Sequence, residues 1–294
     1  MESRDKKISV VTVNYNGLED TEKLLVSLGR HLERPYEVIV VDNGSEPEQA
    51  SVLRARFPEA VVLRSDRNLG FAGGNNLGIS RAGGRYILLL NNDTYVEDGT
   101  LRRLADRLDS SPAIGVASPK IRFGFGNRHI QFAGYTPMSR ITLRNGLIGF
   151  DMPDDGRYDT ARSTSYAHGA AMMLKREVVD KAGPMPEEYF LYYEELDWCE
   201  RIRETGYEIW YEPACTVFHN ESRSTGRNSP LKIKYLTRNR LLYARRNRKG
   251  FVRAAGMTYQ LCVAAPKNAV SFLLRGQPAQ SAAVIKGCAE FLKL

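Results

Sequence analysis

Acidic residues are scarce at one end of the chain. Between residues 222 and 294 there are 15 lysines and arginines but only one acid, Glu290, so this segment has a net charge of +14. The whole chain of 294 residues carries +8, which leaves −6 for residues 1–221. A basic segment beside an acidic body indicates an anionic partner, and the candidates are a membrane surface, nucleic acid or a phosphorylated substrate.

Cysteine is also scarce, and long apolar runs are lacking. The four cysteines form no CxxC pair and have no metal-ligand spacing, which favours a reducing, intracellular compartment. The charged N-terminus leads directly into a predicted strand, so we expect no secretory signal. The longest uncharged run of the basic segment, residues 254–266, is 13 residues long and too short to span a bilayer.

The apolar pattern predicts an α/β fold. Strands and helices alternate with short connections, and this pattern is typical of a mostly parallel sheet with right-handed crossovers, flanked by helices. Residues 86–90 are five apolar residues in a row, as expected for a strand that is buried on both faces in the middle of the sheet. The predicted strands of this first half are residues 8–14, 36–41, 61–63, 86–90 and 114–118.

Three polar loops follow these strands, at residues 14–16, 42–44 and 91–93. Because ligands of open α/β sheets bind at the carboxyl ends of the strands, we expect a nucleotide where the loops converge. Two nucleotide-binding patterns are missing, since no GxGxxG follows the first strand and no GxxxxGK[ST] occurs. A diphosphate would then need a metal ion, for which Asp93 can supply a carboxylate. The alternative is that residues 91–93 only form turn hydrogen bonds.

A second group of candidates lies on a predicted helix at residues 194–204. Asp197 and Arg201 are spaced to pair along this helix, which is a structural role. Glu195 instead shares a face with apolar residues, and partial desolvation would raise its pKa and make it a better base. Acids at a helix start can also simply stabilise the helix dipole. His219 follows two apolar residues and fits either a hydrogen-bonded histidine or a metal ligand.

Together these residues resemble the family-two glycosyltransferases, which have the GT-A type fold. The resemblance covers roughly residues 8–220, and it is specific because several motifs occur in the order of the family. These motifs are residues 11–16, 40–45, 68–76, 90–93, 169–173 and 190–197.

The resemblance implies a nucleoside-diphosphate sugar in the crevice and a bound Mg²⁺ or Mn²⁺. The metal would be held by Asp93 and His219, with Asn91 standing where the DxD motif of the family has its first acid. Glu195 would remove a proton from the acceptor hydroxyl in a single displacement with inversion. The family usually has Asp at this position, so Glu194 stays open as the alternative base. The donor contacts implied are Thr12, Asn14, Asp42, Asn68, Gly73 and Asn92.

The resemblance is weaker at the level of the subgroup and in the basic segment. The subgroup is similar to rhamnosyl-type transferases of bacterial surface polysaccharides, whose acceptor would be a saccharide, either free or lipid-linked. We expect residues 1–221 to form the catalytic domain and residues 222–294 a basic helical region. Apolar and basic residues interleaved over residues 232–253 favour an interfacial helix, and hence a cytoplasmic protein attached to the inner face of the membrane. The alternative is a basic helix packed on the acidic body.

Two other classes of function compete with this interpretation. A nucleotidyltransferase would share the sheet and the metal, but it needs an activating basic pattern in an early glycine-rich loop, which residues 67–74 lack. A nucleic-acid-binding module would use the basic segment, but it leaves Asp93 and Glu195 without a role, and RNA-binding motifs are absent. We therefore expect no nucleic-acid partner.

Overall fold

The computed structural model describes residues 7–31, 36–220 and 229–294. The described strands are β1 (Ile8–Asn14), β2 (Tyr36–Asn43), β3 (Val61–Ser65), β4 (Tyr86–Leu90), β5 (Thr94–Tyr95), β6 (Ile114–Phe123), β7 (Ile130–Phe132), β8 (Arg162–Ser163), β9 (Ala171–Lys175) and β10 (Glu208–His219). The described α-helices are α1 (Leu18–His31), α2 (Ala50–Arg56), α3 (Gly70–Arg81), α4 (Arg102–Asp109), α5 (Arg176–Ala182), α6 (Glu194–Glu204), α7 (Pro230–Asn247), α8 (Gly250–Tyr259), α9 (Ala265–Leu274) and α10 (Pro278–Leu292).

All the described strands belong to one sheet. Its main order is β3-β2-β1-β4-β9-β6-β10-β5, with β7 paired to β6 and β8 paired to β10. Strands β1 to β4 run parallel, and β10 runs parallel to β6. Strand β9 is inserted between β4 and β6 in the opposite direction. The predicted α/β sheet is therefore confirmed, whereas the reversed strand at its centre was not predicted.

The reversal of β9 determines which residues lie near Asp93. Ala171, the first residue of β9, pairs with Leu90, the last residue of β4. The backbone N–H of Asn91 donates to the carbonyl oxygen of Ala170 at 2.9 Å. Because β9 begins where β4 ends, the residues just before β9 lie at the same edge of the sheet as the loop that carries Asp93.

Each face of the sheet is covered by helices. Strand β4 is buried along its whole length, as predicted. Alternate residues of a strand point to opposite faces, so Leu88 packs in one apolar cluster and Ile87 in the other. The first cluster includes residues of α1, α2 and α4, and the second includes residues of α3, α6 and α7.

Helix α3 lies very close to β1 because two of its residues are glycines. A Cβ on Gly78 would be 2.3 Å from Cγ1 of Val11, and one on Gly74 would be 2.8 Å from Cγ1 of Val13. The sequence predicted a helix from about residue 73, but α3 begins at Gly70, whose φ of +74° is a conformation that favours glycine.

Strand β10 is longer than predicted. The sequence pattern predicted a strand over residues 207–212 that stops at Pro213, yet β10 continues to His219. The register with β6 shifts between Glu212 and Thr216, and this irregularity accommodates the proline. The extension carries His219 to the edge of the sheet, beside Phe123 of β6.

The C-terminal helices pack on the body and on each other. The helix predicted over residues 232–253 is two helices, since α7 ends at Asn247 and α8 begins at Gly250. Leu242 of α7 is buried in the same apolar cluster as Trp198 of α6. Within the described part of the chain, no helix combines the length and the apolar character needed to cross a membrane.

Candidate active site

Two of the predicted donor contacts tie the loops after β1 and β2 together. Asn14 and Asp42 are fully buried, and Nδ2 of Asn14 donates to Oδ1 of Asp42 at 3.2 Å. Oδ1 of Asn14 accepts from the hydroxyl of Thr21 at 2.8 Å. Oδ2 of Asp42 accepts from the backbone N–H groups of Gln49 and Ala50, at 3.2 and 3.1 Å, where α2 begins. These side chains therefore shape the crevice by fixing its loops, and their contact with a donor stays a prediction.

Asn68 and Gly73 shape the entry to α3. Oδ1 of Asn68 accepts from the backbone N–H of Gly70 at 2.8 Å, which holds the turn before the helix. A Cβ on Gly73 would lie 2.7 Å from Cβ of Leu69. The first turn of α3 is thus tightly packed, and a side chain at position 73 would displace it.

Thr12 and Asn92 complete the predicted donor set. Nδ2 of Asn92 donates to Oγ1 of Thr21 at 3.1 Å and to the carbonyl oxygen of Gly17 at 3.3 Å. Thr12 is buried in β1, and its hydroxyl has no hydrogen-bond partner among the described residues. Asn92 therefore joins the loop after β4 to the start of α1, whereas Thr12 lies inside the sheet.

Asp93 and His219 are neighbours, although 126 positions separate them in the sequence. Nε2 of His219 lies 3.1 Å from Oδ1 of Asp93, and the backbone N–H of Asn220 donates to the carbonyl oxygen of Asp93 at 2.9 Å. On its other side, Nδ1 of His219 lies 2.9 Å from Oε1 of Gln131. The tautomer in which Nδ1 donates to this amide oxygen leaves a lone pair on Nε2, which is the form of histidine that binds a metal.

This arrangement suits a divalent cation. Oδ1 of Asp93 is buried and makes no hydrogen bond with the described residues, and it lies 3.1 Å from Nε2 of His219. Carboxylate oxygen with imidazole nitrogen is a donor set that Mn²⁺ accepts, and an imidazole whose other nitrogen donates to an oxygen is the usual form of a metal ligand. No group of three or more His, Cys, Asp and Glu side chains in the described ranges could hold a metal. Further ligands would come from substrate and water.

Two carboxylates begin α6, and their environments differ. Glu194 is only 2% exposed, and its Oε2 has no hydrogen-bond partner among the described residues. Glu195 is half-buried and lies over Gly169, where a Cβ would be 3.6 Å from its Cγ. Burial raises the pKa of Glu195 to about 7, and burial together with the charge of Glu195 raises the pKa of Glu194 well above its ordinary value. Glu195 is therefore the more accessible of the two carboxylates.

His168 connects the two groups and was missed in the sequence, where no role was assigned to it. Its ring is stacked on Tyr135, with centroids 6.1 Å apart, and lies 6.2 Å from the ring of His219. Nδ1 of His168 accepts from the backbone N–H of Ala170 at 3.1 Å. The next residue is Gly169, over which Glu195 lies. The signal that could have found His168 is its position directly before a run of small residues that starts a strand.

The loop before α6 has an unusual backbone and is held by α7. Phe190, Tyr192 and Tyr193 have φ values of 65°, 71° and 77°, which are unfavourable for residues with a side chain. Asn239 of α7 is fully buried, and its Nδ2 lies 2.7 Å from the carbonyl oxygen of Leu191 and 2.8 Å from that of Tyr192. Helix α7 therefore supports the loop that leads into Glu194 and Glu195.

Asp197 is a second link between α6 and α7. The predicted pair with Arg201 is present but long, at 3.7 Å. Shorter contacts come from the hydroxyl of Tyr189 at 2.7 Å, Nε of Arg246 at 2.9 Å and Nδ2 of Asn247 at 2.8 Å. Sequence reasoning missed the last two, because nothing in the local pattern joins positions 50 residues apart.

Comparison with known proteins identifies relatives of this chain and structures with a similar fold. The chain is 24% identical over 241 residues to the N-acetylglucosaminyl-diphospho-decaprenol L-rhamnosyltransferase of Mycobacterium tuberculosis, a match that covers 75% of this chain and 78% of the relative. It is 26% identical over 255 residues to the dTDP-rhamnosyl transferase RfbF of Shigella flexneri, covering 83% and 81%.

The fold is shared with a mannosyltransferase of Pyrobaculum calidifontis that was solved in complex with GDP-Man and Mn²⁺. The TM-score is 0.59 at 16% identity, and the match covers 98% of this chain and 87% of that chain. The fold is therefore of the GT-A type, as the sequence motifs predicted. The model of the family described as "Glycosyl transferase family 2" matches residues 9–183, more than half of the chain, and the protein therefore belongs to glycosyl transferase family 2.

Proposed function

We propose that the protein is a metal-dependent, inverting glycosyltransferase of bacterial surface polysaccharide synthesis. It moves a sugar from a nucleoside-diphosphate sugar to a hydroxyl of a lipid-linked saccharide. Two relatives support this choice by their names, one for rhamnosyl transfer and a diphospho-decaprenol carrier, the other for dTDP-rhamnose. Membership of the family favours this activity over a nucleotidyltransferase or a nucleic-acid-binding module.

The observation that carries the proposal is the contact between Asp93 and His219. A buried carboxylate oxygen that makes no hydrogen bond with the described residues lies 3.1 Å from an imidazole nitrogen, and these two atoms would hold a divalent cation. The contact lies at the carboxyl ends of β4 and β10, which is where open α/β sheets bind their ligands. Glu195 lies over Gly169, which comes just before β9, and β9 begins beside the end of β4.

Glu195 serves as the base. A metal held by Asp93 and His219 would stabilise the negative charge of the diphosphate leaving group. Glu195 is only half-buried, and a pKa of about 7 is close to the value that is most effective for accepting a proton at neutral pH. The acceptor hydroxyl gives up its proton to Glu195 and attacks the anomeric carbon, so inversion requires no nucleophile from the enzyme.

The test is calorimetric binding of UDP-, dTDP- and GDP-sugars to the full chain in Mn²⁺ or in EDTA. We expect one class of donor to bind, with an affinity that falls at least tenfold in EDTA. Asp93→Asn should bind this donor equally weakly in both solutions. Asp180→Asn, an exposed acid of α5, is the matched control and should behave like the wild type.

A second measurement separates the donor from the acceptor. Transfer of radiolabelled sugar to a synthetic N-acetylglucosaminyl-diphospho-lipid tests the lipid-linked acceptor directly. No binding of any nucleotide sugar would overturn the proposed donor class. Equal affinity in Mn²⁺ and EDTA for the wild type would remove the metal from the proposal and leave the transferase assignment in place.

A further inference from the structure

The C-terminal helices carry a concentration of exposed apolar side chains. Within the described residues, 15 large apolar side chains are exposed, and nine of them lie between residues 229 and 294. The exposed fraction of the side chain is 83% for Phe251, 84% for Leu274, 55% for Leu273 and 53% for Val270. Soluble surfaces rarely expose apolar side chains in such a group unless something covers them.

Most of these side chains lie on one continuous helix. Helix α8, the π-helical turn Gln260–Ala264 and α9 follow each other without a break from Gly250 to Leu274, a length of about 37 Å. The inner side of this helix faces the body, because Gly256 lies against the backbone of residues 140–141 and Nε2 of Gln260 donates to the carbonyl oxygen of Thr142 at 2.8 Å. We call the exposed side the outer face; its apolar members are Phe251, Val263, Val270, Leu273 and Leu274.

The charges beside the outer face have one sign. The helix from 250 to 274 contains no acidic residue. Exposed basic residues lie along it and at its two ends, and these are Lys249, Arg253, Lys267 and Arg275. A second copy of this chain would bring like charges together, which opposes association through this face. An anionic lipid surface complements both the charge and the apolar side chains.

Helix α7 does not offer the same surface, although the sequence pointed to residues 232–253. Arg246 contacts Asp197 at 2.9 Å and Glu188 at 3.1 Å, and Arg248 lies 3.7 Å from Glu200. These arginines tie the helix to the acidic body. We therefore assign the expected membrane contact to α8 and α9. Helix α7 instead fits the alternative, a basic helix packed on the acidic body.

We propose that the outer face of α8 and α9 binds the surface of an anionic lipid bilayer. The helix lies in the plane of the surface, with Phe251, Leu273 and Leu274 at the level where acyl chains begin and the basic side chains on lipid phosphates. The same surface would present a lipid-linked acceptor to an enzyme that is held there. The proposal does not depend on the proposed activity, because lipid binding is measured without any sugar.

The experiment is sedimentation of the full chain with phosphatidylcholine vesicles and with vesicles that contain 30% phosphatidylglycerol. We expect binding to the anionic vesicles alone, weakening as NaCl rises through the physiological range. The double variant Phe251→Ser/Leu274→Ser should bind at least tenfold more weakly. The triple variant Arg253→Gln/Lys267→Gln/Arg275→Gln should also bind the anionic vesicles at least tenfold more weakly, since each charge contributes separately to binding.

Matched controls come from the exposed surface of the body. Val26→Ser/Val61→Ser removes two apolar side chains that are each 41% exposed, and Arg30→Gln/Arg81→Gln/Arg103→Gln removes three exposed charges; both should bind like the wild type. Equal binding to neutral and anionic vesicles, or unchanged binding of the two α8–α9 variants, would overturn the proposal. So would a dimer in light scattering that Phe251→Ser/Leu274→Ser dissociates, because the outer face would then be an interface between copies.

Discussion

The side-chain amide of Asn239 lies 2.7 Å from the carbonyl oxygen of Leu191. This contact joins α7 to the loop that leads into the two carboxylates of α6. The same amide nitrogen also lies 3.0 Å from the carbonyl oxygen of Tyr189, so one buried side chain supports a whole turn of strained backbone. We therefore propose Asn239 of the C-terminal region as a positioning residue for Glu194 and Glu195.

Asn239→Leu should lower turnover more than it lowers donor affinity. The variant leaves buried carbonyl groups without donors, which costs about 1–3 kcal/mol of stability, and it frees the loop that orients Glu194 and Glu195. We expect kcat to fall at least tenfold while the dissociation constant of the donor changes less than threefold. A parallel loss of donor binding, or an unchanged kcat in a destabilised protein, would contradict the positioning role.

Glu195→Gln should retain donor binding and lose transfer. The amide has nearly the same shape as the carboxylate but cannot accept the proton, so we expect kcat to fall about 100-fold or more. Glu194→Gln is the paired comparison and should cost much less, because Glu194 is buried. The reverse order of the two variants in a steady-state assay would identify Glu194 as the base.

The raised pKa of Glu195 predicts how stability depends on pH. The pKa rises from 4.5 to about 7 on folding, so between these values the folded protein holds more protons than the unfolded chain. The free energy of unfolding therefore falls as pH rises through this window. Glu195→Gln removes this loss. We therefore expect the free energy of unfolding of the variant to exceed that of the wild type by on the order of 1–3 kcal/mol at pH 8 but not at pH 4.5. Thermal unfolding of both proteins across this pH range tests the prediction. An equal dependence of stability on pH for wild type and variant would contradict it.

Gly78→Ala should destabilise the protein. The added Cβ would lie 2.3 Å from Cγ1 of Val11, and overpacking of this kind costs about 1–3 kcal/mol. Gly29→Ala is the matched control, because Gly29 also lies within a helix and its Cβ would have no neighbour within 4 Å in the described chain. The control should be stabilised by about 0.5–1 kcal/mol, because alanine has a higher helix propensity than glycine. Urea denaturation measures both, and a stable Gly78→Ala would show that α3 can move away from β1.

The elements that were predicted well depend on local patterns. The predicted helix over residues 194–204 has the observed bounds of α6, because an acidic first turn and an apolar stripe both lie within the helix. Strand β4 is buried throughout because its five residues are all apolar. The start of α3 was predicted three residues late, since the helix begins at Gly70 through a positive φ that composition alone does not reveal.

The parts of the site that were missed depend on contacts between distant positions. In the sequence, nothing distinguishes Asn239 from the other polar residues of a basic helix. Only the fold shows that it contacts residues 189–192. The pairing of Asp93 with His219 was implied by family resemblance, and the strand extension past Pro213 that produces it contradicts the local pattern. His168 had no assigned role because the direction of β9 could not be read from its sequence.

The shared apolar cluster of α6 and α7 has a consequence for how the protein unfolds. Tyr243 and Phe291 from the C-terminal helices are buried in the same cluster as Trp198 and Ile202. Opening either side would expose the apolar surface of the other, so the two regions should lose structure in one cooperative transition. Backbone amides of α7 should then exchange with solvent as slowly as those of α6, and a chain cut after residue 221 should not retain a folded catalytic body.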